Sequence, residues 1–235
     1  SADAIYSVDA KANTYYSLNN GTNWVLKNLS YIVGSPGDTQ DIFVDAAGSL
    51  YIIKSEARKI FRSDDKGFSW NMINSTFSNK DLFTGTADAN NIYVFAGTGE
   101  GAVYFNSSDM GVSWSSAKVY GGSTARAAVM NSSSAIYVVD KNGAVYVSAD
   151  GITWVLKNSS YGRTTDTQDM FSDNIGNLYI ISNSNREVWR SNNSGVTWTK
   201  VNNSFASNDL FTGVADSQKN LYVIPGQSLG AVFRS

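Results

Sequence analysis

The sequence has 235 residues, with 18 basic and 20 acidic side chains, a net charge of −2, and neither cysteine nor histidine. The even charge balance excludes a basic stripe for phosphate backbones, so nucleic acid is not an expected partner. Without cysteine and histidine there are no disulfides, no thiolate nucleophile and no histidine base. No apolar run approaches the roughly 20 residues that span a bilayer. We therefore expect no membrane insertion, no metal site and no cofactor.

The chain starts at Ser1 instead of a methionine. This start favours a processed chain whose targeting segment has been removed. We therefore expect a secreted or cell-envelope protein.

Five of the six tryptophans recur in similar surroundings, at spacings of 46, 44, 40 and 44 residues. They are Trp24, Trp70, Trp114, Trp154 and Trp198. A repeat of this length predicts propeller blades or a solenoid.

The residues that end at each of these tryptophans follow the pattern Ser-x-Asp-x-Gly-x-Ser/Thr-Trp, which we call the box. The pattern suits a β-hairpin, because Asp or Asn bonds the turn backbone, Gly accepts positive φ and Trp packs between sheets. Asn replaces Asp in the boxes ending at Trp24 and Trp198, Asn23 replaces Ser/Thr in the first of these, and the box ending at Trp154 is one residue shorter. The predicted structural residues are Asp65, Gly67, Trp70, Asp109, Gly111, Trp114, Asp150, Trp154, Gly195 and Trp198.

The box resembles the Asp-box, also called the BNR repeat, of sialidases, photosystem assembly factors, sortilin-like receptors and several lectins. The resemblance extends over nearly the whole chain. It implies a β-propeller in which the box is a structural turn away from the usual binding face. It does not imply one activity, because this fold carries many.

Short alternating stretches precede each box, such as residues 41–45, 50–53 and 59–62 before Trp70. Together with the strand after the box they predict four strands per repeat, and four-stranded repeats are propeller blades. The frame begins six times along the chain. We therefore predict an all-β fold, a six-bladed β-propeller of four-stranded antiparallel blades, formed by residues 1–235 as a single domain.

A longer repeat is superimposed on the short one. Residues 24–28, 38–41 and 81–85 return as residues 154–158, 166–169 and 209–213, at offsets of 130, 128 and 128. We infer a tandem duplication of a three-blade unit, at about residues 1–106 and 107–235. The frame predicts that the first and last blades each lack one strand. We therefore expect either a longer natural protein or a homo-oligomer that assembles through the open sheet edges.

Candidate ligand-binding residues lie in the loops that lead into the first strand of each blade. They are Tyr31, Asp38, Gln40, Asp41, Phe77, Asp81, Tyr161, Asp166, Gln168, Asp169, Phe205 and Asp209. Aromatic rings stack on sugar faces, and carboxylates and amides bind hydroxyls, so this set predicts a lectin-like, carbohydrate-binding module. In the alternative interpretation the aromatic residues pack between blades and the acids cap turns.

Two functions other than carbohydrate binding remain open, namely glycosidase activity and protein interaction. A glycosidase would use two carboxylates, and the only candidates are Asp38 with Asp41 or Asp166 with Asp169. A sialidase also needs an arginine cluster and an Arg-Ile-Pro-like segment, which the sequence lacks. We therefore predict a non-catalytic protein, which binds either glycans or a protein surface as an interaction or assembly module.

Overall fold

A computed structural model describes residues 4–9, 13–28, 39–54, 58–74, 77, 81–97, 101–162, 167–183, 185–202, 205, 209–225 and 232–235. All regular elements in these ranges are β-strands. The strands form two compact units.

Unit 1 consists of residues 1–100 and 104–118. It holds blades 1 and 2 and most of blade 3. Blade 1 has β1 (Ile5–Val8), β2 (Thr14–Ser17) and β3 (Val25–Asn28). Blade 2 has β4 (Thr39–Val44), β5 (Leu50–Lys54), β6 (Lys59–Ser63) and β7 (Asn71–Asn74). Blade 3 has β8 (Leu82–Ala87), β9 (Ile92–Ala96), β10 (Val103–Ser107) and β11 (Lys118–Val119).

Unit 2 consists of residues 101–103 and 119–235. Blade 4 has β12 (Ala125–Met130), β13 (Ile136–Asp140), β14 (Val145–Ser148) and β15 (Val155–Asn158). Blade 5 has β16 (Thr167–Ser172), β17 (Leu178–Ser182), β18 (Glu187–Ser191) and β19 (Thr199–Asn202). Blade 6 has β20 (Leu210–Ala215), β21 (Leu221–Pro225) and β22 (Phe233–Arg234).

Each blade is an antiparallel sheet whose strands lie side by side in chain order. Within the described residues, blades 2 to 5 have four strands and blades 1 and 6 have three. The predicted all-β, six-bladed propeller fold is confirmed. We refer to β4, β8, β12, β16 and β20 as the first strands of blades 2 to 6, and to the end where each begins as its leading end.

The second strands form the core of the blades. Every residue of β5, β9, β13 and β17 is buried. These strands are apolar on both faces because each face packs against a neighbouring layer. Burying one such Leu or Ile side chain contributes about 1.5–3 kcal/mol.

A buried acidic turn connects first and second strands. Asp45 Oδ1 accepts hydrogen bonds from the backbone N–H groups of Ala47 and Ser49, each at 2.9 Å, and Oδ2 accepts one from the Tyr51 hydroxyl at 2.9 Å. Asp173 and Asp216 repeat this arrangement in blades 5 and 6. An Asp six residues before a Tyr is its sequence signal, which our sequence analysis did not recognise.

The boxes form the hairpin turns that their pattern predicts. In the second box Ser63 Oγ accepts from the Gly67 N–H at 2.8 Å and donates to Asp65 Oδ1 at 2.8 Å. Asp65 Oδ1 also accepts from the Ser69 N–H at 2.8 Å. Gly67 has φ 88°, a conformation that only glycine adopts without strain.

The variant boxes keep these bonds. Asn19 and Asn193 accept the equivalent backbone N–H at 2.8 and 2.9 Å, because an amide oxygen replaces the carboxylate oxygen. In the shorter box Asp150 Oδ1 accepts from the Thr153 N–H at 2.7 Å, three residues later. One missing residue therefore shortens the turn without removing it.

We predict that Gly213→Ala weakens the packing of blade 6 on blade 5 and lowers the stability of the protein. A Cβ at this position would overlap the Phe171 ring and lie 3.0 Å from Ile181 Cδ1. Such overpacking costs about 1–3 kcal/mol of the free energy of unfolding, measured by urea denaturation. Adding Phe171→Leu to Gly213→Ala should recover part of this loss; additive losses would contradict the proposed contact.

Candidate functional site

Each first strand begins with a β-bulge. In blade 2 Thr39 pairs with Lys54 and Asp41 pairs with Ile53, so Gln40 has no partner in the ladder. The first strands of blades 3 to 6 show the same shift in register. The extra residues, which we call the bulge residues, are Gln40, Phe83, Arg126, Gln168 and Phe211. Bulges of this kind re-aim a side chain and are frequent beside functional sites.

The bulge residues differ in chemistry although their backbone positions are equivalent. Unit 1 presents Gln40 and Phe83, and unit 2 presents Arg126, Gln168 and Phe211. The Phe211 side chain is 44% exposed, and the side chains of the other four bulge residues are half-buried. Gln40 and Gln168 were sequence candidates. Phe83, Arg126 and Phe211 were not sequence candidates, because only the register of the ladder distinguishes them from ordinary strand residues.

Two ion pairs lie beside the leading ends of blades 3 and 6. Arg58 Nε lies 3.4 Å from Asp81 Oδ1, and Arg186 Nε lies 3.8 Å from Asp209 Oδ1. All four side chains are between 41 and 46% exposed. The two pairs are copies of one site at the duplication offset, and they include the candidates Asp81 and Asp209.

Both arginines of these pairs have a left-handed backbone. Arg58 has φ 50° and Arg186 has φ 55°. A residue with a Cβ pays about 1–2 kcal/mol in this conformation. An exposed ion pair contributes only about 0–1 kcal/mol. The ion pair therefore does not offset the strain of the left-handed backbone. The presence of the same arginine in both units follows from the duplication.

In unit 2 one hairpin joins several of these groups. Asn183 Nδ2 donates to Gln168 Oε1 at 3.4 Å, and the Arg186 N–H donates to the Asn183 carbonyl at 2.9 Å. Asn183 Oδ1 and Arg186 Nε are buried and have no hydrogen-bond partner among the described residues. The polar groups around Asn183 and Arg186, which contact Gln168 and Asp209 at 3.4 and 3.8 Å, can therefore form further hydrogen bonds with a ligand.

The candidates Asp41 and Asp169 connect consecutive blades. Asp41 Oδ2 accepts from the Thr84 hydroxyl at 3.0 Å and from the Gly85 N–H at 2.8 Å. Asp169 Oδ2 accepts from Thr212 at 2.7 Å and from Gly213 at 2.9 Å. We call each set of bonds an inter-blade tie.

Burial raises the pKa of Asp169 to about 6, although three donors, including the Met170 N–H, oppose this shift by stabilising the carboxylate. Removal from water is the larger effect because the carboxyl group has no cation beside it in the described part of unit 2. A threonine hydroxyl can donate or accept, so the bond to Thr212 survives protonation of the carboxyl group.

Three aromatic candidates are buried. Phe77, Tyr161 and Phe205 are 3, 2 and 9% exposed. Phe77 packs edge-on against Trp114 with ring centroids 4.9 Å apart, and Tyr161 packs against Trp198 at 6.2 Å. These are the contacts of the alternative interpretation, and they leave no ring face open to a sugar. Tyr31, Asp38 and Asp166 lie outside the described residues.

The described ranges contain no cluster of three or more acidic side chains arranged to hold a metal ion. They also contain no helix with the length and apolar composition needed to cross a membrane.

The six antiparallel sheets define the chain as a β-propeller. Residues 68–167 match the family model described as the DUF6242 beta propeller domain. No curated protein matches the chain by sequence.

Solved propeller structures are similar in fold. YCF48 bound to D1 peptide has a TM-score of 0.61 and 17% identity, with 100% of this chain and 74% of that chain covered. The nidogen/laminin complex has a TM-score of 0.74 and 12% identity, with 98% and 88% covered. Virginiamycin B lyase from Staphylococcus aureus has a TM-score of 0.67 and 13% identity, with 98% and 82% covered. At these identities the likeness shows the fold.

We predict that Arg58→Gly and Arg186→Gly do not destabilise the protein. Glycine relieves the left-handed strain, which outweighs an exposed ion pair and raises the free energy of unfolding by about 0.5–1 kcal/mol. Urea denaturation measures this change. A loss above about 1 kcal/mol would assign the arginines a structural role.

We predict that the stability of unit 2 falls as the pH rises from about 4 to about 6. The pKa of Asp169 is about 6 in the folded chain against an ordinary value of 3.8, so folding favours the neutral acid. The contribution, about 3 kcal/mol, is complete below pH 4 and is lost as the pH rises through the folded pKa.

Thermal unfolding between pH 3 and 8 tests this dependence, and Asp169→Asn should flatten it. Asp216→Asn is the matched control. The pKa of Asp216 is lowered from its ordinary value of 3.8 in the folded chain, so its titration affects the free energy of unfolding only at pH values below about 4. A profile between pH 4 and 6 that is unchanged in Asp169→Asn would contradict the assignment.

Proposed function

We propose that the chain is a non-catalytic binding module that recognises a polypeptide partner at its leading ends. The observation that carries this proposal is the bulge at the start of all five first strands, which turns a side chain out of the ladder in each of these blades. A bulge removes one residue from the ladder, and its presence in five blades favours a shared role for the bulge residues.

The chemistry of the site supports a peptide ligand. A peptide group offers a carbonyl acceptor beside an N–H donor. An Arg–Asp pair and a carboxamide both offer donors beside acceptors, so each complements a peptide group. The similar structures of YCF48 and nidogen are described as complexes with a D1 peptide and with laminin, and this supports the same kind of ligand here.

A glycan is the second candidate ligand. The exposed Phe211 ring offers a stacking face, and the amide of Gln168 on the preceding first strand could bind hydroxyl groups. Carbohydrate binding by Tyr31, Asp38 and Asp166 stays a prediction. A catalytic role is less well supported, because the carboxyl groups of Asp41 and Asp169 are engaged in the inter-blade ties.

The hydrogen bonds of the boxes support a relationship with Asp-box propellers. Placement outside the cytoplasm, as a secreted or cell-envelope protein, is part of the same proposal. Assembly through the three-stranded blades 1 and 6 would be a further mode of protein interaction.

Parallel selection from a random peptide display library and a glycan array tests the ligand class. We expect peptides to be enriched, and we expect Gln40→Ala/Gln168→Ala to weaken their binding by about tenfold. Val112→Ser is the control, because Val112 is 86% exposed on a box turn away from the leading ends. Selective glycan binding without peptide enrichment, or equal binding by the double variant, would contradict the proposal.

A further inference from the structure

Unit 2 carries three different bulge residues on three consecutive first strands. Arg126 lies on β12, Gln168 on β16 and Phe211 on β20. β12 contacts β16, and β16 contacts β20. Because the three bulges occupy the same register position, these residues follow one another at the leading ends. We call them the recognition row.

The row combines three recognition chemistries in a fixed order. A guanidinium group binds a carboxylate through charge-assisted hydrogen bonds. A carboxamide donates and accepts, and therefore pairs with a peptide group. The 44% exposed Phe211 ring offers apolar contact to a side chain.

Unit 1 has two of the three positions. Its bulge residues are Gln40 and Phe83, which correspond to Gln168 and Phe211 at the duplication offset. Arg126 is the only charged residue of the recognition row. The nearby Arg186–Asp209 pair adds donors and acceptors but no net charge. The two units therefore offer similar amide and aromatic groups, and the row adds a positive charge at one end.

We propose that the recognition row binds an extended acidic peptide segment, with a carboxylate at Arg126, the peptide backbone at Gln168 and an apolar or aromatic side chain at Phe211. This inference rests on the proposed function and specifies its ligand class.

The spacing of the first strands sets the spacing of the ligand. In unit 2 the Cα atoms of neighbouring first strands come within 8 Å of each other, and an extended chain advances about 3.3 Å per residue. Consecutive row residues therefore lie about two ligand residues apart. The carboxylate and the apolar side chain of the ligand should be separated by about four positions.

An array of Gly/Ser peptides tests the proposal, with one Glu and one Phe placed at every pair of positions and in both orders. We expect the strongest binding at a separation of about four positions, about fivefold above the Gly/Ser parent peptide.

Variants then assign each preference to a residue. Arg126→Gln should abolish the preference for Glu and keep that for Phe, whereas Arg126→Lys should retain both. Phe211→Ser should abolish the preference for Phe and keep that for Glu. Val112→Ser, on a box turn away from the leading ends, is the control and should change neither.

The outcomes separate the row from the proposed function. If the folded protein binds peptides but Arg126→Gln and Phe211→Ser leave both preferences intact, the row is wrong and the proposed function stands. If no peptide binds, both fail. If Arg126→Gln does not fold, salt dependence of the wild-type protein is the test. Raising NaCl from about 0.05 to about 0.5 M should remove most of the preference for Glu, and an unchanged preference overturns the role of Arg126.

Discussion

The inter-blade ties from Asp41 and Asp169 set the alignment on which the candidate site depends. Each carboxyl oxygen accepts two hydrogen bonds from the next first strand, one from a threonine hydroxyl and one from a glycine N–H. The glycine is required because the aromatic ring of the preceding blade occupies the space of a Cβ. Strand spacing and register are therefore fixed together. Within each unit, this alignment places the bulge residues of the two tied blades at the same level.

The strongly buried carboxyl of Asp169 is a costly way to align strands. Its removal from water raises its pKa to about 6, so near neutral pH the charged form is held in an unfavourable environment. The three hydrogen bonds offset part of that cost, and losing one of them would leave a buried acceptor unsatisfied. Such a tie specifies one register more strictly than apolar packing does, because a shift of one residue separates every donor from its acceptor.

At the leading ends, the same backbone position carries a different side chain in different blades. The second strands and the boxes hold the blades through burial and turn hydrogen bonds, and neither depends on the identity of the bulge residues. Amide, cation and aromatic groups can thus occupy one backbone position in different blades. Arg58 and Arg186 add cationic groups beside the leading ends on a left-handed backbone, a conformation that they share with the turn residues Lys66, Met110 and Ser194.

The sequence by itself determined the repeat, the four-stranded blades and the box turns, because these depend on local patterns: alternation, an Asp or Asn that bonds its own turn, and a glycine with positive φ. It also singled out Gln168, Asp169 and Asp209, since each recurs at the duplication offset. Only the tertiary structure separated their roles. Asp169 is buried in a tie, Gln168 leaves the ladder at a bulge, and Asp209 pairs with an arginine from another hairpin. Arg126 and Phe211 emerged from the same register shift, because a bulge is defined by pairing with a distant strand and leaves no mark in the local sequence.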